Sequence, residues 1–226
     1  MLNTDFGIFV RQPQIRYTNG AWQFAIENPE STITPYGGSG RIVTDQNRLP
    51  DFVGRYNLTS GGLSMSFAVL ARQLSYNDGT FDSNTTSSGV SVTGKAMLGQ
   101  NDIRFGVNSG KGMGRYIGLN AVNGAVMDAN GDLQTINETA FYTAFRLVMD
   151  TKSRMNFIAS TLKVDNDVTL TGMGATKSTT SFRVNYMYSP TPKLTFGGEV
   201  SRATRKLESG DSGNMSRLEF MAKLAF

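Results

Sequence analysis

The chain closes on Arg217-Leu-Glu-Phe-Met-Ala-Lys-Leu-Ala-Phe226, in which Leu218, Phe220, Ala222, Leu224 and Phe226 take every second position. Arg217, Glu219 and Lys223 fall on the opposite face. A period of two is the mark of an extended strand with one apolar and one polar side. The same pattern recurs along the whole sequence, and it predicts eleven strands: 7–18, 21–28, 51–58, 63–74, 90–98, 102–109, 138–149, 153–164, 179–188, 193–206 and 215–226. Short connections at 19–20, 59–62, 99–101, 150–152 and 189–192 alternate with long polar ones at 29–50, 75–89, 110–137, 165–178 and 207–214. The short ones have turn chemistry. Asn19-Gly20 suits a type I′ hairpin, Gly61-Gly62 supplies positive φ, and Pro190 and Pro192 interrupt a ladder. Short turns on one side and long loops on the other describe an all-β, antiparallel transmembrane β-barrel of the bacterial outer membrane.

Composition is compatible with that fold and removes several others. The reading is one barrel domain over residues 1–226, and 25 glycines against 6 prolines suit many strands joined by turns. Hydrophobic residues make up 39% of the chain, and no apolar run approaches the ~18 residues of a membrane helix. A barrel strand, apolar at alternate positions only, needs no such run. Cysteine and histidine are both absent, which excludes a disulfide framework, a Cys/His zinc site, a Ser–His–Asp triad and a Cys–His dyad. No enzyme activity, cofactor or metal is expected. The net charge of +4 is spread along the chain without a basic run, so a nucleic-acid partner is not expected.

Residues 1–6 lack the basic and apolar regions of a signal peptide. Eleven is an odd count, whereas single-chain bacterial barrels close on even numbers. Pro13 also stands inside the first predicted strand, where a central strand needs its N–H. The expectation is an incomplete barrel with further strands upstream of Met1.

In a barrel wide enough to hold water the apolar face meets lipid and the polar face lines the lumen. Trp22, Phe24 and Ile26 then face out, with Gln23, Ala25 and Glu27 inward. Phe182, Val184, Tyr186 and Tyr188 face out against Ser181, Arg183 and Asn185. Tyr17, Trp22, Tyr56, Tyr188 and Phe226, near the short turns, form an expected aromatic girdle. The same alternation turns Arg16, Arg55, Arg104, Arg146, Arg154 and Arg183 toward the lumen, all near short turns. Fixed positive charge in a pore favours anions. The competing reading is that Asp51, Glu138 and Glu199 pair with these arginines and only complete the wall. Arg55, Arg104 and Arg146 are expected at similar depth.

Other motifs read as structure. Gly110-Lys-Gly-Met-Gly-Arg115 lacks the Gly-Lys-Ser/Thr order of a phosphate loop and reads as a flexible loop. Asp128, Asn130 and Asp132 have calcium-loop spacing, but Thr139 stands where the twelfth-position Glu belongs, so a turn is expected.

Several segments resemble the DcaP-type porins of Gram-negative bacteria: Arg11-Gln-Pro-Gln-Ile-Arg-Tyr17, Phe24-Ala-Ile-Glu-Asn-Pro-Glu30, Arg48-Leu-Pro-Asp-Phe-Val-Gly-Arg-Tyr56 and Gly112-Met-Gly-Arg-Tyr-Ile-Gly-Leu-Asn120. Residues 123–132 and 189–199 share the resemblance, which covers nearly the whole chain. It implies a sixteen-stranded homotrimeric porin with a signal peptide and a short coiled-coil segment, of which this chain is the C-terminal portion. It further implies passive uptake of small anionic solutes, dicarboxylates and aromatic acids among them, across an outer membrane. The rival readings are a non-conducting barrel that acts as an adhesion or anchoring scaffold through its long loops, and a soluble β-sandwich binding module.

Overall fold

The computed structural model describes residues 5–7, 10–38 and 40–226. Among these, the main sheet contains β1 (Gln14–Asn19), β2 (Trp22–Glu27), β5 (Asp51–Ser60), β6 (Leu63–Asn77), β7 (Asp82–Leu98), β8 (Asn101–Lys111), β11 (Asn137–Val148), β12 (Ser153–Asp165), β13 (Thr176–Thr191), β14 (Leu194–Leu207) and β15 (Ser212–Leu224). They lie side by side in chain order, each antiparallel to the next. All eleven expected strands are therefore present in one sheet. β1 and β15 are its two edges, so the barrel is partial and open between them.

The register keeps the two faces apart. Phe157, Val184, Val200 and Leu218 follow one another across β12 to β15 and are all exposed on the outer face. The adjacent rung carries Ile158, Arg183, Ser201 and Arg217 on the inner face. Slipping any strand by one residue would exchange these sets, so the pattern pins the register. Near the short turns Trp22 lies 4.7 Å from Tyr56 and stacks at 6.0 Å on Phe24, an exposed aromatic patch on the outer face.

Several boundaries differ from expectation. The first strand starts at Gln14, directly after Pro13, so the residue without an N–H stands outside the ladder. Residues 8 and 9 of that expected strand lie outside the described residues, while Asp5 and Phe6 are buried against the inner face. The loop expected at 75–89 shrinks to 78–81, because residues 75–77 pair with 82–84 and both strands extend beyond the apolar band. Likewise 207–214 shrinks to 208–211. Pro190 falls within β13 at a register irregularity between Tyr188 and Thr191, where a ladder tolerates proline.

The larger departure concerns the two longest loops. Segments expected as polar loops contain β3 (Ser31–Thr34), β4 (Ile42–Thr44), β9 (Ala125–Met127) and β10 (Leu133–Thr135), which form a second sheet in the order β10-β9-β3-β4. β3 and β9 run parallel, which joins the two loops to each other. Asp128 closes the β9–β10 hairpin by accepting the N–H groups of Asn130 and Asp132, so this acidic run is a turn. The loops fold inward. Met113, Ile117, Val122, Val126 and Ile136 bury themselves with Phe6 against Ala140, Leu162 and Val164 of the inner wall. Ile33, Ala125, Met127 and Leu133 do the same around Leu74. The buried core of the molecule is thus the contact between loops and inner wall.

Leu162 is fully buried in that contact. Leu162→Ala should destabilise the folded state by about 2–5 kcal/mol, as deletions of buried leucine do. Chemical unfolding of the intact protein in detergent measures this. A loss below about 1 kcal/mol would show that the loops do not pack on the wall as described.

Candidate functional site

The inner face encloses a cavity of about 650 Å³, whose lining includes Arg104, Arg146, Arg154 and Arg183 with Asp102, Glu199 and Glu219. β8, β11, β12 and β13 supply the four guanidinium groups because each of these residues has inward parity in the register. Asp102 is fully buried and holds two of them. Arg104 Nε lies 2.9 Å from its Oδ1, and the Arg146 guanidinium 2.7 Å from its Oδ2. One carboxylate between two guanidiniums leaves a net positive pair. Arg154 forms no ion pair among the described residues. Asn156 donates to Asn185 at 2.6 Å, and Asn185 donates to buried Glu199 at 3.0 Å. Glu219 pairs with Arg217 at 2.7 Å. Four arginines against three acids leave this lining one positive charge in excess.

Of the six arginines singled out by alternation, the structure therefore brings four together. Arg55 shares the inner face, but β6 and β7 separate it from Arg104, and it donates to Asn57 and Ser66 instead. Arg16 lies on the edge strand β1, exposed and away from the cavity. Arg55 therefore stands apart from Arg104 and Arg146, which converge on Asp102. That acid was missed in the sequence, although its inward parity two residues before Arg104 was there to read.

The wall carboxylates also differ from expectation. Asp51 pairs with Arg72 at 3.2 Å, both side chains buried. Glu138 accepts the backbone N–H groups of Met113 and Gly114 at 2.9 and 3.1 Å. This ties the start of the glycine-rich loop to the wall and occupies amides that a phosphate would need. A side chain at Gly114 would come within 2.3 Å of the Gly124 nitrogen, so only glycine allows this close crossing of the loop on itself.

The loop then presents Tyr116 to a cluster of charges. Its hydroxyl lies 2.8 Å from Asp51 and 2.9 Å from Glu27, and accepts from Gln12 at 2.8 Å. Arg72 lies over the ring at 5.1 Å and Arg115 at 6.0 Å. Arg115 is buried, donates to Gln12 at 2.6 Å and faces Glu30 at 3.7 Å. Burial, reinforced by the Asp51 charge, raises the Tyr116 hydroxyl far above the usual phenol range, so it remains a neutral donor. This cluster buries charge only because each member has a partner from another element. It fixes the loop across the inner side of the wall, where it narrows the space the wall encloses.

No family model and no curated protein sequence matches the chain. Solved structures do. The outer membrane channel DcaP of Acinetobacter baumannii aligns with a TM-score of 0.81 over 95% of this chain and 62% of that one, at 19% identity. The fold is that of an outer-membrane channel. A porin structure refined at 1.8 Å aligns with a TM-score of 0.54 and 11% identity, over 91% of this chain and 60% of that one. OmpT, an outer membrane protein of Vibrio cholerae, gives 0.53 and 11%, over 93% and 62%. The chain spans about three-fifths of the length of each of these proteins. The resemblance read from the sequence thus holds as a likeness of fold.

Tyr116→Phe removes the hydroxyl that meets Gln12, Glu27 and Asp51. It should weaken loop docking by about 1–3 kcal/mol, the penalty for leaving buried polar groups short of a partner. Hydrogen exchange of residues 112–136 should then rise while that of β11 and β12 stays unchanged. Unaltered exchange in the loop would show that the cluster does not anchor it.

Proposed function

We propose that this chain builds the wall and constriction of a bacterial outer-membrane porin, through which small anionic solutes pass by diffusion, dicarboxylates and aromatic acids among them. The observation that carries the reading is the cavity on the inner face, where four arginines meet three acids. A water-filled passage with an excess of fixed guanidinium charge lowers the barrier for anions and raises it for cations. Arginine stays charged at any physiological pH. The exposed apolar outer face, with aromatics clustered near the short turns, fits contact with lipid. Assembly as a homotrimer belongs to the same proposal, as does the role of a channel and not an enzyme.

The inward fold of the two longest loops bears on the adhesion alternative. A scaffold that works through its loops would project them. Here Met113, Ile117 and Val126 are spent on the inner wall, and Tyr116 is held among charges there. That arrangement suits a constriction better than a binding surface.

Arg154 is the informative residue, since no carboxylate among the described residues neutralises it. In the intact protein reconstituted into planar bilayers, Arg154→Glu should move the reversal potential under a potassium chloride gradient toward cation preference. The shift should be larger at low salt, where screening over ~10 Å or more preserves the field. Arg55→Glu, outside the cavity, should move it less. A silent bilayer would favour the scaffold, and equal shifts for both variants would remove the cavity from the selectivity argument.

A further inference from the structure

At the long-loop end of the wall a second cavity, of about 450 Å³, lies apart from the arginines described above. Its charged lining residues are Arg41 and Arg205, and no carboxylate lines it among the described residues. The two arginines come from different elements and are separately held. Arg41 precedes β4 and donates through Nε to Asn123 and through a terminal nitrogen to the Asn120 carbonyl at 2.7 Å. Arg205 stands on the inner face of β14 and donates through Nε to Thr176 at 2.9 Å. Its two terminal nitrogens have no protein partner among the described residues. A guanidinium fixed at Nε still offers a planar pair of donors, the geometry that grips a carboxylate with two bonds. Asn166 also lines the cavity. It contacts Glu208 at 2.9 Å, but Lys177 compensates that acid at 3.3 Å. Two cations therefore face one polar space without a counter-charge, an arrangement that attracts an anion from solution.

We infer that this cavity is an oxyanion-binding vestibule, which takes a small carboxylate between Arg41 and Arg205 before the solute reaches the inner arginines. The role in uptake rests on the porin reading, but the site itself does not. Binding of benzoate can be measured on the intact protein in detergent, without conduction.

The test uses saturation-transfer NMR of benzoate with a background variant, Arg154→Gln/Arg183→Gln, that weakens the inner cavity. Benzoate should still bind there. Adding Arg205→Gln should raise its dissociation constant about tenfold, the effect of losing one charge-assisted bidentate contact. Arg205→Lys keeps the charge but replaces the fork by a single ammonium, and it should weaken binding by about threefold. The lysine variant serves where the glutamine variant fails to assemble. Loss of all benzoate binding in the background variant would overturn the inference, as would a dissociation constant that Arg205→Gln and Arg205→Lys both leave unchanged. A silent bilayer with benzoate binding intact would remove the porin reading and leave the vestibule standing. Conduction without vestibule binding would do the reverse.

Discussion

An extended backbone in lipid has no water to accept its N–H groups or donate to its carbonyls, so each must find a partner on a neighbouring strand. On the membrane reading, nearly everything else in this chain follows from that requirement. It joins eleven strands into one antiparallel sheet in chain order. It sets the residue period at two, because a paired strand turns successive side chains to opposite faces. It also explains why Pro13 sits just before the ladder and Pro190 at an irregularity within it. β1 and β15 are the two places where the ladder is open, in a chain that spans about three-fifths of the channels it resembles.

The same face-to-face separation decides where charge can go. With the outer face apolar, the arginines and carboxylates collect inside, where they must be paired or wetted. The structure does both. Asp51, Arg72 and Glu138 are buried, and each is satisfied across elements, by Tyr116, by each other or by backbone amides of the folded-in loop. Arg104, Arg146 and Arg154 instead border open space, which leaves part of their charge facing the cavity. The inward charges thus divide into those that a loop covers and those that the cavity leaves open.

The wall was largely legible in the sequence because period two is a local signal. β14 shows it from Leu194 to Ser201, and Asn19-Gly20 marks its own turn. The inner arginines were legible for the same reason: parity alone assigns Arg104, Arg146, Arg154 and Arg183 to one face. What parity cannot convey is which of them meet. Arg55 has the right parity and the wrong neighbours, since convergence depends on strand order and on Asp102. The loops were least legible. Val126 and Met127 lie in a segment too short to show a period, and their partners Ile33, Ala140 and Leu162 are distant in sequence. Tyr116 reads as an ordinary loop tyrosine until Asp51 and Glu27, more than sixty residues away, are brought to its hydroxyl.

The central claim is that one face of the sheet meets lipid and the other meets water. Single nitroxide labels at each position from Thr179 to Tyr188 of β13, a stretch without native cysteine, can be read in the intact protein in bilayers. Collision with oxygen, which concentrates in lipid, should peak at Phe182, Val184 and Tyr186. Collision with a charged nickel chelate, confined to water, should peak at Arg183, Asn185 and Met187, out of phase by one residue. Labels at Phe182, Val184 and Tyr186 that neither reagent reaches would place that face in a protein core and contradict the account.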